Sequence, residues 1–177
     1  MVVGVAIQRL MKKIGINNSF LKWPNDLLIL EGDTYFKLAG VLIELQGDLE
    51  SRCSAVIGVG LNYDLSGDIL KNIDQPATNI KKYLHSDIDL NQLSAMLIKE
   101  IINALSEFEN NGFLSVKEEW LSYNAFKEKT ISFIKSGGEL ITGQIVDIEN
   151  DGALKILQNN GIHETLISGE VSQQKTN

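Results

Sequence analysis

Two apolar runs, "FKLAGVLIELQGD" at 36–48 and "SRCSAVIGVGLNY" at 51–63, constrain this chain more than any other feature. They match in length and are rich in β-branched residues. With Gly47-Asp48 and its neighbours as the turn, they are expected to pair as a hairpin within one sheet. The opening "MVVGVAIQRLMKKIG" has the helical period, with Val3, Ile7, Leu10, Met11 and Ile14 on one face. Asn17 and Asn18 then mark a loop. "SFLKW" is a short strand that Pro24 ends, and the proline keeps Trp23 out of helical geometry. "DLLIL" continues as a strand to the polar tip "EGDTY".

Beyond the hairpin, residues 64–90 are polar, with a short helix around "TNIKKYLH". Asp89 and Gln92 form a capping box, in which each side chain satisfies a backbone N–H of the other. The helix that follows places Leu93, Met96, Leu97, Ile101, Leu105 and Phe108 in one stripe, read as core packing. "NNG" at 110–112 ends it, and a second helix carries Val116, Trp120 and Leu121. From about Thr130 the period changes. "TISFI", "ELITGQIVDI", "GALKIL" and "HETLISGEV" read as four strands separated by "SGG", "NDG" and "NNG", turn sequences that favour positive φ. They predict a small meander or barrel of SH3-like shape. The expected class is α+β: a mixed β-sheet with packed helices over 1–128, then an SH3-like β-barrel over 129–177, with "SQQKTN" frayed.

Bulk properties exclude several functions. Of 177 residues 44% are apolar and 22% charged, a globular balance. No apolar run approaches the roughly 20 residues that span a bilayer. A net charge of −7 and a pI near 4.8 argue against DNA as a partner. Cys53 is the single cysteine, and with only His85 and His163 beside it neither a disulfide nor a Cys/His zinc site is expected. Cys53 reads as a packed small apolar residue, in a reducing cytoplasmic setting.

Three stretches carry the chemistry: "KWPND" at 22–26, "KLAG" at 37–40 and "IGVGLN" at 57–62. Lys37 enters an otherwise apolar strand. It is either a snorkelling strand-end lysine or a cation held over an anionic reactant, where low dielectric strengthens its charge. Gly40 lets a ligand approach the backbone. "GVGLNY" lacks the third glycine of a dinucleotide fingerprint. Alternate glycines at 58 and 60 instead leave a flat floor on one face of a strand. Asn62 is a turn residue or a ligand. Asp26 is a plain turn acid, a partner orienting Lys37, or a magnesium ligand. Together they suit a phosphate-bearing, anionic reactant.

In order and spacing, "KWPND", "KLAGVLIEL" and "IGVGLN" resemble biotin protein ligase, and the resemblance continues through "GQIVDIENDGALKI" to "GIHETLISGEVS". "KWPND" with "KLAG" favours biotin over lipoate. The resemblance implies attack of biotin's carboxylate on the α-phosphate of Mg2+-ATP. Biotinyl-5′-AMP then passes biotin to a lysine of a biotin carboxyl carrier protein or domain. It implies that Lys37 holds the biotin carboxylate and that Gly40, Leu42, Gly58 and Val59 line the biotin slot. Asn25, Asp26 and Asn62 face the ATP phosphates, with Asp26 also at Mg2+ and orienting Lys37. Trp23 is assigned to packing. The hairpin from Leu27 to Phe36 is a few residues longer than the family's. A "GRGRxGR" lid loop is not found either, since Arg9 and Arg52 are the only arginines. The chain is therefore read as the C-terminal portion of a ligase, through a fragment, a downstream start or a truncated gene. Loss of sheet neighbours would leave an edge for homodimer pairing. A non-catalytic remnant serving as a binding or assembly module is the alternative.

Overall fold

A computed structural model of the chain describes residues 1–47, 53–65, 75–134 and 138–173. Helix α1 (Val2–Lys13) buries Val3, Ile7, Leu10 and Met11 of the expected face and Val5, Ala6 and Gln8 besides, and Ile14 is buried just past its end. It is enclosed because α2 (Leu90–Asn111) packs on one side of it and strands β1 (Ser19–Lys22) and β2 (Asp26–Glu31) on the other. Arg9 fastens this layer, bonding Glu107 on α2 and Glu119 on α3 (Leu114–Ser122).

The capping box at Asp89 and Gln92 forms as expected. The stripe on α2 is only partly core. Leu93 is buried, Met96, Leu97 and Ile101 pack at its margin, and Phe108 is exposed. At 1.5 Å per residue α2 runs about 33 Å and α1 about 18 Å, so α1 cannot cover all of it. Phe108, next to the Arg9–Glu107 pair, instead borders a cavity with Met1 and Val2 at the start of α1. Between the hairpin and α2 the short helix is a 3₁₀ turn, Ile80–Tyr83, capped by Asn79.

Strands β1, β2, β3 (Thr34–Gly47) and β4 (Cys53–Leu61) form one antiparallel sheet in that order. β3 and β4 pair from Ala39–Leu61 to Gly47–Cys53, which is the expected hairpin; its turn at Asp48 lies outside the described residues. Residues 123–125 cover the β1 edge, with Leu21 N–H donating to Tyr123 O and Ala125 N–H to Leu21 O. β4 has no such cover among the described residues. Cys53, expected to be packed, is exposed, because it begins β4 at the outer end of the hairpin where both faces meet solvent.

The C-terminal sheet has five strands, not four, in the order β8-β7-β6-β5-β9. They are β5 (Thr130–Ile134), β6 (Leu140–Ile148), β7 (Leu154–Gln158), β8 (His163–Leu166) and β9 (Val171–Gln173). "HETLISGEV" divides because Gly169 takes φ 119°, which turns the chain back so that β9 pairs with β5. Ser172 and Gln173, expected in the frayed tail, therefore lie in a strand. Residues 135–137 of the "SGG" turn and the tail from 174 lie outside the described residues. No described helix is long and apolar enough to cross a membrane.

Candidate functional site

The site begins with a register defect. Asp26 pairs with Gly40 and Leu27 with Ala39, but Leu28 pairs with Lys37, so Leu38 is an extra residue. In a regular strand residues 37 and 40 would face opposite sides. The bulge turns them to the same side, the side that Asp26 and Leu28 also share. The Lys37 ammonium lies 2.6 Å from Asp26 Oδ1. Asp26 is 8% exposed and Lys37 29%, so the carboxylate is inside and the cation reaches outward. That oxygen receives no well-aligned hydrogen bond, and the contact is ionic. A Cβ on Gly40 would stand 3.3 Å from Lys37 Cε and 3.4 Å from both charged atoms, so glycine gives the pair its room.

Gly40 faces Gly60 across the β3–β4 ladder, and Leu42 faces Gly58. All four lie on the Lys37 side of the sheet. An open groove of about 460 Å3 is lined by Asn25, Gly40, Val41, Leu42, Gly58, Val59 and Gly60. It adjoins a cavity of about 190 Å3 formed by Lys37, Ala39, Gly40, Gly60, Asn62, Gln75 and Ala77. Gly58 and Gly60 have ordinary negative φ, and a Cβ there would come no closer than 3.6 Å and 3.8 Å to protein atoms. Nothing in the protein's own packing requires glycine at either position. Val59 pairs with the buried Val41, and strand alternation sends its side chain to the other face. Only its main chain lines the groove.

Both asparagines are tied to the main chain. Asn25 Nδ2 donates to Val41 O at 2.8 Å, and Val41 N–H returns a bond to Asn25 O. Asn62 Nδ2 uses both hydrogens, on Lys37 O at 3.3 Å and Thr78 O at 3.0 Å. Their donors hold β3 in place beside the groove. The segment Pro76–Thr78, ahead of the 3₁₀ turn, flanks Lys37 directly: Lys37 N–H donates to Pro76 O and Thr78 N–H to Lys37 O.

The first half of "KWPND" points elsewhere. Trp23 is buried, and its Nε1–H donates to Gly152 O in the β6–β7 turn, so it packs as expected. Lys22, the cross-strand partner of Asp26, places its ammonium 3.7 Å from Asp26 Oδ2 and 2.6 Å from Glu170 Oε1, next to β9. The hydrogen bond and charge of Lys22 hold the Glu170 carboxyl below the usual carboxylate range, and Lys37 adds to this. The C-terminal sheet thus walls a third cavity of about 420 Å3, where Ser172 and Gln173 face Lys22, Tyr35 and Lys37. Lys22 and Glu170 were missed in the sequence. Lys22 had a signal, a cation between Leu21 and Trp23, whereas Glu170 had none without the β9 pairing.

Residues 128–172 match the family model for the biotin protein ligase C terminal domain. The bifunctional ligase/repressor BirA of Escherichia coli K12 is 31% identical over 172 residues, 97% of this chain. The chain is related to the biotin protein ligases. Its match is to part of them, since it spans about half the length of the curated relatives it matches, 51% for the E. coli protein. BirA of Bacillus subtilis is 26% identical over 88% of the chain and 46% of its own length. The apo structure of biotin protein ligase from Aquifex aeolicus superposes with a TM-score of 0.79 at 25% identity, covering 99% of this chain and 73% of that one. That ligase solved in complex with biotin and ATP gives 0.76 at 24%, over 99% and 70%. The ligase relationship thus embraces both sheets.

Proposed function

We propose that the chain carries the Lys37 half of a biotin-activating site and belongs to an enzyme that attaches biotin to protein through biotinyl-5′-AMP. The single observation behind this is the Lys37–Asp26 ion pair at the head of a groove floored by Gly40, which gives that pair its room, and by Gly58 and Gly60, which the protein's own packing does not need. Gly40, Gly58 and Gly60 would let biotin's fused ring system lie close against the sheet, beside Leu42. Its carboxylate would then reach the Lys37 ammonium. ATP would approach from the cavity beyond Gly40, bordered by Asn62 and Gln75. Two anionic reactants repel one another, and a cation fixed between them offsets that repulsion and stabilises charge as it transfers. The biotin carboxylate oxygen bonds to the α-phosphorus and pyrophosphate leaves. The acceptor lysine's amine then attacks the acyl carbon and AMP leaves.

Asp26 serves this scheme by aiming Lys37. It does not suit Mg2+, because both its oxygens already face ammonium groups. Nor does any group of three metal-ligating side chains occur among the described residues. Calorimetric titration of the chain with biotin, then with a non-hydrolysable biotinyl-adenylate analogue, tests the assignment. Binding of both is expected; absence of heat with either one refutes the groove's role.

The second reading, a non-catalytic binding or assembly module, draws on the outer half of the β3–β4 hairpin. There Leu42 is 64% and Leu45 62% exposed, with Ile43 and Val56 also open to solvent. Pyrophosphate release from biotin and Mg2+-ATP separates the two: release supports the enzyme, and biotin binding without release supports the module.

A further inference from the structure

Lys22 is a buried cation that the proposed reaction leaves without a task. Its side chain is 9% exposed, on the same sheet face as Asp26, and it touches one carboxylate from each sheet. From the C-terminal sheet to the groove the charges alternate: Glu170, Lys22, Asp26, Lys37. The spacings are 2.6, 3.7 and 2.6 Å, so the middle contact is the loose one. We infer that Lys22 is a positioning residue: Glu170 draws it off Asp26, which leaves Asp26 to hold Lys37 over Gly40. This rests on the reading of Lys37 given above and adds the C-terminal sheet as the element that sets its geometry.

The argument is one of competition for a buried carboxylate. A desolvated ammonium without an anion is strongly disfavoured. Without the Glu170 charge, the anion nearest Lys22 is Asp26, already within 3.7 Å. Closing that gap would divide Asp26 between two lysines and loosen its hold on Lys37. The main chain that carries Glu170 is fixed, although the side chain itself is 72% exposed. Val171 is paired with Phe133, and Gly169, at φ 119°, lies so close to the Phe133 ring that a Cβ there would come within 2.4 Å of it. The reach of the Glu170 side chain is therefore set by the seating of the C-terminal sheet. Trp23 fastens the neighbouring position to the same sheet through Gly152. Of the five residues in "KWPND", the first two contact the C-terminal sheet, while Asn25 lines the groove and Asp26 holds Lys37.

The test uses the 177-residue chain, Glu170→Gln and the charge swap Lys22→Glu/Glu170→Lys. In 15N–1H spectra, Glu170→Gln is expected to move the Gly40 amide and the Lys37 ammonium resonance and to leave α1 amides in place. In the swap, ion pairing between the sheets is restored, and the melting temperature is expected to recover relative to each single charge reversal. Biotin affinity is expected to stay at least tenfold below wild type, because the carboxylate introduced at position 22 faces Asp26. A merely structural clasp would restore stability and affinity together, and that result overturns the inference. So does a Glu170→Gln spectrum in which Gly40 and Lys37 do not move. If the unsubstituted chain fails to bind biotin, the ligase reading fails, and the resonance shifts still decide the role of Lys22.

Discussion

The two sheets of this molecule obey different rules. Along β5, β6 and β7 burial alternates nearly residue by residue, as expected of a sheet with one face in and one out. In the first sheet burial comes in blocks: β1 and β2 are almost wholly covered, and the outer halves of β3 and β4 are wholly exposed. The candidate site sits where covered gives way to open. An enclosed strand could not admit a ligand, and a fully solvated one could not hold Asp26 desolvated. A buried acid with an outward-reaching lysine needs that border.

If the two sheets depend on one another, Trp23→Ala should have the largest effect. Trp23 is 2% exposed and bonds across the junction, so a loss of about 3–5 kcal/mol is expected in denaturant unfolding. A loss well below that range would mean that the sheets are stable separately. Gly143→Ala probes the C-terminal sheet alone. Its Cβ would sit 2.5 Å from Leu157 O on the paired strand, and overpacking against backbone costs about 1–3 kcal/mol. The melting temperature should fall while biotin affinity is kept; affinity falling in proportion would show that the site reads strain anywhere in that sheet.

Lys37→Ala should strike the site, weakening biotin binding more than tenfold, or about 1.4 kcal/mol. It should also lower the melting temperature, because the buried Asp26 loses the nearer of its two ammonium partners. Unaltered calorimetric affinity would remove Lys37 from the site. Acid should act at the junction. The Glu170 carboxyl is depressed in the folded chain by Lys22, so its contribution is complete above its unfolded pKa and is lost as pH falls through the lower folded value. Acid titration of wild type and Glu170→Gln should therefore converge below the carboxylate range and separate above it. The smallest effect is expected at the open end, where Leu45→Lys should change stability by less than about 0.5 kcal/mol in denaturant unfolding.

Much of the fold could be read from local pattern. The face of α1, the capping box at Asp89 and the β3–β4 hairpin each follow from residues close in sequence, and each forms as expected. The reading failed where distant packing decides. Phe108 is on the right stripe of α2 but borders a cavity beside Met1 and Val2. Cys53 has a core-like side chain at a strand end with no cover. Ser172 and Gln173, expected in a frayed tail, joined Val171 in β9 because β5 was available to pair with them. Among the site residues, Asn25 and Asn62 were recognisable as polar groups at strand ends, yet whether their amides meet a ligand or the main chain depends on how close β3 runs.

Residue type and order fix which groups are present: a lysine entering an apolar strand, an acid after a proline turn, and glycines at alternate positions of a strand. Those are properties of residue type and spacing, and they also carry the relation to the ligases. Tertiary structure alone decided that Lys37 and Gly40 share a face, because a single extra residue at Leu38 reverses the alternation between them. It alone placed Glu170 on Lys22 across 148 residues of chain. A bulge and a long-range ion pair depend on which strands meet and in what register, and no window of local sequence contains both partners.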